Sequence, residues 1–314
     1  MRDVTSGLRP TSVGLMDMVG NTPMLALRRI GRDVAGVTLL AKAEFCNPSG
    51  SVKDRAARAM LLDGMRRGLL SKDKTIIDAT SGNTGIAYAM MGAALGRSVV
   101  LYMPGNASGE RKAMIRAYGA AVVQTDPLEG SDGAYLAAKA AVEADPGKYF
   151  YPDQYNNKAN PMAHYEGTGP EILAQAGGLT HFIAGMGTSG TFMGVSRYLK
   201  EQDAKIRTIV VQPDSPLHGI EGTKHMASTI VPGIYDEKAP DDVVPVSTEA
   251  SYAMVRRLAR EEGILVGISS GANVQAAITL ARTLPKGACV VTVLCDSGNR
   301  YLSDDFWRET PCSP

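Results

Sequence analysis

Tryptophan is almost missing from this chain, with one in 314 residues, and phenylalanine is scarce at five. Cysteine is also sparse. Cys46, Cys289, Cys295 and Cys312 show no paired spacing, which excludes a disulfide framework or a zinc site and reads as reduced cytosolic thiols. His164, His181, His218 and His225 lack the spacing of metal ligands, so no metal is expected. Neither sign of charge dominates. The formal net charge is +1, and no basic face or tail stands out, which argues against nucleic acid or an anionic membrane as partner. No segment is long and apolar enough to span a bilayer, and residues 1–11 hold no apolar run of the signal-peptide kind. These absences leave a cytoplasmic protein that handles small molecules.

What is present is a full hydrophobic complement, 44% of residues, enough for a buried core. The length exceeds what one core usually serves, so two domains are expected. Short β-branched runs at 37–41, 76–79, 99–103, 121–124, 181–184, 206–211 and 290–294 read as strands. Helical periodicity covers 52–68, 84–95, 109–118, 132–144, 191–201, 249–262 and 272–283. Gly68, Gly96, Gly119 and Gly263 are placed to stop helices. Such alternation predicts an α/β protein with parallel sheets covered by helices. The polar stretch 154–161 is a plausible crossing between lobes. The segment 213–246, rich in Pro, Gly and Asp, is long enough to border a site.

Turns of small residues carry the chemistry. Asn47-Pro48-Ser49-Gly50-Ser51-Val52-Lys53-Asp54-Arg55 sets a lysine just inside a helix start, where Ser49 or Ser51 can cap. Desolvation and the positive potential of a helix start lower an amine's pKa, as Schiff-base chemistry needs. Thr80-Ser81-Gly82-Asn83-Thr84-Gly85 gathers hydroxyls and backbone N–H groups that can hold a carboxylate, and Asn83 can donate to a ring oxygen. Gly185-Met186-Gly187-Thr188-Ser189-Gly190-Thr191 fits the dinucleotide spacing G-x-G-x-x-G, with Asp214 near the distance of a ribose partner, so a nicotinamide enzyme is one reading. Its cluster of hydroxyls suits a phosphate monoester better than a pyrophosphate. In Gly267-Ile268-Ser269-Ser270-Gly271-Ala272, Ser269 can face a pyridine nitrogen while Ser270 caps the helix. A neutral partner there leaves the ring unprotonated, which suits β-elimination over transamination. An amine, a carboxylate turn and a phosphate cradle together point to pyridoxal phosphate on Lys53.

In this order, the strings SVKDR, TSGNTG, GTSGT and GISSGA resemble the cysteine synthase (O-acetylserine sulfhydrylase) family of fold-type II pyridoxal-phosphate enzymes. The likeness runs from Val19-Gly20-Asn21-Thr22-Pro23 to Gly298-Asn299-Arg300-Tyr301-Leu302-Ser303. It implies a two-lobed α/β fold like the tryptophan synthase β chain. Residues 46–157 would form a smaller mobile substrate-binding domain, and 1–45 with 158–314 a larger domain that binds the cofactor phosphate. The resemblance makes Lys53 the Schiff-base lysine and the acid/base at the α-proton, and Asn83 the contact of the ring hydroxyl. It makes Thr80, Ser81, Gly82, Thr84 and Gln154 the substrate site. Gly187, Thr188, Ser189, Gly190 and Thr191 become the phosphate cradle, and Ser269 the partner of the ring nitrogen. The implied reaction is β-replacement through an aminoacrylate, giving L-cysteine from O-acetylserine or O-phosphoserine and a sulfur donor such as sulfide, in a homodimer. A condensation of serine with homocysteine, as in cystathionine β-synthase, is the alternative. A binding protein without turnover is another, against which the intact Lys53 argues.

The segment His218-Gly219-Ile220-Glu221-Gly222-Thr223-Lys224-His225-Met226 departs from the H-K-I-Q-G-I-G of the A-type branch. With Met-Ile-Arg-Ala-Tyr-Gly at 114–119 and Cys295-Asp296-Ser297, it resembles the B-type branch, whose members include users of O-phosphoserine and other sulfur donors. Lys224 is a candidate partner for a leaving phosphate.

Overall fold

The structure, a computed structural model, describes residues 13–34 and 36–308. Residues 1–11 and Cys312, which entered the expectations above, lie outside the described residues. The strands are β1 (Met24–Ala26), β2 (Thr38–Ala43), β3 (Thr75–Ala79), β4 (Val99–Pro104), β5 (Ala121–Thr125), β6 (Tyr149–Phe150), β7 (His181–Gly185), β8 (Arg207–Pro213), β9 (Asp242–Val246) and β10 (Cys289–Leu294). The α-helices are α1 (Lys53–Arg66), α2 (Asn83–Leu95), α3 (Gly109–Ala117), α4 (Gly130–Ala144), α5 (Ala159–Ala163), α6 (Gly169–Ala176), α7 (Gly190–Gln202), α8 (Thr248–Arg257) and α9 (Ile268–Ala281).

Two sheets result. One has the order β1-β2-β10-β7-β8-β9, the other β5-β4-β3-β6. Every pairing is parallel except β1 with β2. β10 is buried at all six positions, so its unbroken apolar run lies between helical layers on both faces. On one face Ile183, Ile209, Val290 and Leu294 pack with Val274 and Ile278 of α9. On the other, Phe182, Val210 and Val291 pack with Ile172 of α6 and Phe192 of α7. The alternation of neighbours such as Phe182 and Ile183 follows from the two-residue period of a strand. The four-stranded sheet has its own cluster, in which Met60 and Leu61 of α1 and Ile86 and Met91 of α2 meet Ile76 and Leu101. α2 is apolar all round, and it is buried from Thr84 to Gly92.

All seven expected strands form, with ends moved by no more than two residues. The four glycine stops all adopt positive φ. β1, β6 and β9 were not foreseen. β6 has two residues and β9 is mostly exposed and contains Pro245, so neither shows a strand's apolar pattern. α5 and α6 were also missed; they are short, and a π-helical turn, His164–Thr168, joins them. Within each parallel sheet the C-terminal strand ends share one side, and the turn after β3 in one sheet faces the turns after β7 and β10 in the other.

Candidate active site

Those turns enclose a cavity of about 660 Å³. Lys53, Thr80, Ser81, Asn83, Thr84, Gln154, Gly187, Thr188, Ser189, Gly190, Thr191 and Ser269 all line it. Gly82 sits in the same turn, set back from the cavity, where a Cβ would strike the side chain of Arg111. Asp214, the ribose candidate, follows β8 and does not face the cavity.

Lys53 is the first residue of α1. Its N–H donates to Ser51 Oγ at 3.3 Å. Ser49 does not cap in the expected sense. The Asp54 carboxylate accepts from the Ser49 N–H at 2.6 Å and from the Ser49 hydroxyl, so the first-turn acid holds the turn. The Val52 N–H donates to the Cys295 carbonyl at 2.8 Å, which pins the lysine turn to the chain leaving β10. Protein atoms surround the lysine amine, and that desolvation lowers its pKa against the opposing fields of Cys295 and Asp296.

Across the cavity, Thr80 Oγ1 accepts from the N–H groups of Gly82 at 2.9 Å and Gly85 at 3.1 Å. Its own hydroxyl proton is then left to donate. Thr84 donates to Gln154 Oε1 at 2.9 Å, and Gln154 Nε2 donates to the Ala79 carbonyl at 2.7 Å. α2 begins here, so its first amides have no partner within the helix.

The turn after β7 is shaped by close approach. A Cβ on Gly187 would collide with the Gly222 carbonyl, and one on Gly190 with the Asn160 amide. Asn160 Nδ2 donates to Thr188 Oγ1 at 3.1 Å and to the Gln154 carbonyl at 2.8 Å. Ser189 takes a left-handed φ of +70°, and its buried Oγ has no partner among the described residues. Thr191 Oγ1 contacts His164 Nε2 at 3.3 Å. Burial holds the His164 pKa well below the usual range, helped by Arg55 and Lys53, so this histidine is a neutral core group. Among the described residues no cluster of three metal-ligating side chains exists.

Ser269 lies in the first turn of α9 and is 8% exposed. Ser270 is not the cap. The N-cap is Gly267, with no side-chain cap bond, and Ser270 Oγ instead accepts from the Cys295 N–H at 2.8 Å. Asn273 ties the cradle to β10: its Oδ1 accepts from the Gly185 N–H at 2.7 Å while its Nδ2 donates to the Val293 carbonyl at 2.8 Å. Burial pushes the Cys295 thiol up to about 11, which keeps it protonated.

A family model described as pyridoxal-phosphate dependent enzyme matches residues 15–296. A cysteine synthase of Aquifex aeolicus is 51% identical over 94% of this chain and 92% of its own length. A cysteine synthase B of Pseudomonas aeruginosa is 45% identical, covering 93% of this chain and 97% of the relative. This chain belongs to the pyridoxal-phosphate dependent enzymes of the cysteine synthase family. A crystal structure of cysteine synthase from Entamoeba histolytica superposes with a TM-score of 0.90 at 31% identity, over 100% of this chain and 96% of that one.

The cavity of this cysteine synthase family member fits pyridoxal phosphate by its donor set. A desolvated amine suits an aldehyde, and the orphan Ser189 hydroxyl at the start of α7 suits a phosphate. The segment 213–246 borders the cavity as expected, and Lys224 lies in its wall together with Arg111. Arg111 of α3 donates to the Ser81 carbonyl at 3.3 Å, lies 4.7 Å over the Tyr301 ring and pairs with Glu221. Lys224 is buried, not a solvated loop lysine. Its Nζ donates to Asp132 of α4 at 3.1 Å and sits 4.7 Å over the Tyr155 ring. The Lys224 N–H also donates to the Met186 carbonyl at 2.8 Å, so the loop rests on the cradle. A second charged set gathers around Arg55 in the first turn of α1. Arg55 donates to Glu44 Oε2 at 2.7 Å and to both oxygens of Glu171 at 2.7 Å, and Lys42 meets Glu171 Oε2 at 2.7 Å. No local motif announces which residues these cations pair with.

Proposed function

We propose that this enzyme makes L-cysteine from an activated serine, O-acetylserine or O-phosphoserine, and a sulfur donor such as sulfide. The observation that carries the reading is the placing of the desolvated Lys53 amine in one cavity with the Thr80–Thr84 turn and the hydroxyl cradle. When bound, pyridoxal phosphate draws electrons from the α-carbon of an amino acid, which loosens the α-proton and lets a β-substituent leave. Lys53 would bind the aldehyde and move the proton at the substrate α-carbon; a lysine with a lowered pKa is neutral often enough to do both. Thr80 would donate its free hydroxyl proton to the substrate carboxylate, joined by the first amides of α2. Ser81, Gly82 and Thr84 shape that turn, and Gln154 anchors it. Gly187, Thr188, Ser189, Gly190 and Thr191 would cradle the cofactor phosphate, Asn83 would face the ring hydroxyl, and Ser269 the ring nitrogen.

Residues 46–157 are read as a smaller substrate-binding domain that closes on 1–45 and 158–314 when substrate binds. The separate hydrophobic cluster of the four-stranded sheet supports this, and closure would shield the reacting carbon from water. Small-angle scattering with and without substrate checks it; an unchanged envelope defeats it. Among the described residues no helix is long and apolar enough to cross a membrane. The working form is read as a cytoplasmic homodimer, by the family resemblance, which sedimentation tests.

The deciding assay mixes purified protein with pyridoxal phosphate, O-acetylserine or O-phosphoserine, and sulfide, and measures cysteine. Release of cysteine, abolished by Lys53→Ala, is the expected result. Cystathionine from serine and homocysteine, with no cysteine in the first mixtures, would overturn the reading in favour of the condensing enzyme.

A further inference from the structure

We infer that Arg300 and Asp296 are positioning residues that fix the side-chain amide of Asn83, so that it presents an N–H, never its oxygen, to the cavity beside Lys53. Asn83 is the first residue of α2 and lines the cavity. Its Oδ1 accepts from the Arg300 guanidinium. Its Nδ2 donates to Asp296 Oδ2 at 2.7 Å. The two ends of an amide have the same shape, and its facing is settled by its partners. Here the partners have opposite polarity. A guanidinium carries only donors, so it can meet only the oxygen. The nitrogen carries two hydrogens, and Asp296 takes one. One N–H remains for the cavity.

Both partners are themselves held. Arg300 is 2% exposed and Asp296 is fully buried. Asp296 Oδ2 also accepts from the Tyr301 hydroxyl at 2.7 Å. Arg300 donates in addition to the carbonyl of Ser49, in the turn that leads into Lys53. Gly50, at φ +84°, lies so close that a Cβ would come within 2.9 Å of the Arg300 guanidinium. One guanidinium therefore joins the lysine turn to the asparagine turn, and the spacing between the amine and the amide depends on it.

The inference rests on the reading that pyridoxal phosphate occupies this cavity. The group such an N–H would meet is then the ring hydroxyl oxygen, whose ionised form an N–H stabilises. The experiment uses the loaded enzyme without substrate and follows the visible absorption of the bound cofactor against pH. Asn83→Ala should move the midpoint by about half a pH unit or more. Arg300→Leu should move it in the same direction, because the amide is then free to turn over. Arg300→Lys, which restores a donor to Oδ1, should recover part of the shift. The double variant Arg300→Leu/Asn83→Ala should shift no further than Asn83→Ala alone, since both act through one bond. An unmoved midpoint in Arg300→Leu, or shifts that simply add, would overturn the inference and leave Arg300 an anchor of the fold. If Arg300→Leu does not fold, Asp296→Asn is measured against the same criteria. A wild-type protein that takes up no cofactor would instead overturn the reading of the cavity itself.

Discussion

Lys42, Glu44, Arg55 and Glu171 cluster around the first turn of the helix that carries Lys53, whereas Arg111, Glu221, Lys224 and Asp132 line the mouth of the cavity. The inner set shares its charges. Glu44 accepts two bonds from Arg55, one from Thr22 at 2.7 Å and one from Asn47 at 2.8 Å. Glu171 takes both Arg55 and Lys42, and also the Asn21 N–H at 3.0 Å. The mouth has one cation for each carboxylate, and Glu221 is 43% and Asp132 32% exposed at the side chain. Both mouth pairs join a helix near the four-stranded sheet to the single loop 213–246. The difference is one of replaceability. Charges buried with every lone pair matched cannot change partners without a large loss. A pair whose carboxylate still meets water loses less when its cation turns to an incoming anion.

The largest expected effect comes from the inner set. Arg55→Met strands the buried Glu44 carboxylate and should destabilise the protein by about 3–5 kcal/mol, read as a fall in the denaturant midpoint. Lys224→Met should cost only about 1 kcal/mol, because Asp132 keeps water and the Ile230 N–H. Equal losses in the two variants would erase the distinction between the sets. Steady-state kinetics then tests the mouth: Lys224→Met should raise KM for the activated serine several-fold while the melting temperature moves little. An unchanged KM would make Lys224 a structural tie.

Acid titration sharpens the contrast. Burial pushes the Glu171 carboxyl up, but Arg55 and Lys42 outweigh it and hold it at about 2, against an ordinary 4.5. Its contribution is fully present above pH 4.5 and drains away as pH falls toward 2. The stability gap between wild type and Arg55→Met should therefore narrow across that window in pH-dependent melts. Asp78 is the counter-example. It is more deeply buried and faces no cation, and burial lifts its carboxyl from 3.8 to about 8 despite the Ala79 N–H. The folded state holds that proton more tightly, so stability declines as pH rises from 3.8 through 8. Asp78→Asn should flatten that decline and raise the melting temperature at pH 9 by a degree or two, the smallest effect of the series. A lower melting temperature at that pH would count against it.

Much of this arrangement was legible as sequence. The β-branched runs gave the central strands because parallel strands are buried on both faces, and the small-residue turns marked the places where strands hand over to helices. That is why the sequence groups Lys53, Thr80 and Ser189 at one site. Ser270 departs from the expected cap for a local reason: a serine near a helix start does not say which N–H it will meet. β9 was invisible because an exposed edge strand has no apolar alternation to read.

By itself, the sequence determined the alternation of elements, the chemistry of each turn and the family, since these depend on residues close together in the chain. Only the tertiary structure decided which charges meet. Arg55 finds Glu171 across 116 positions, Lys224 finds Asp132 across 92, and Arg300 finds Asn83 across 217. Ion pairs and shared hydrogen bonds form wherever packed backbones bring side chains together, and no local pattern encodes that encounter.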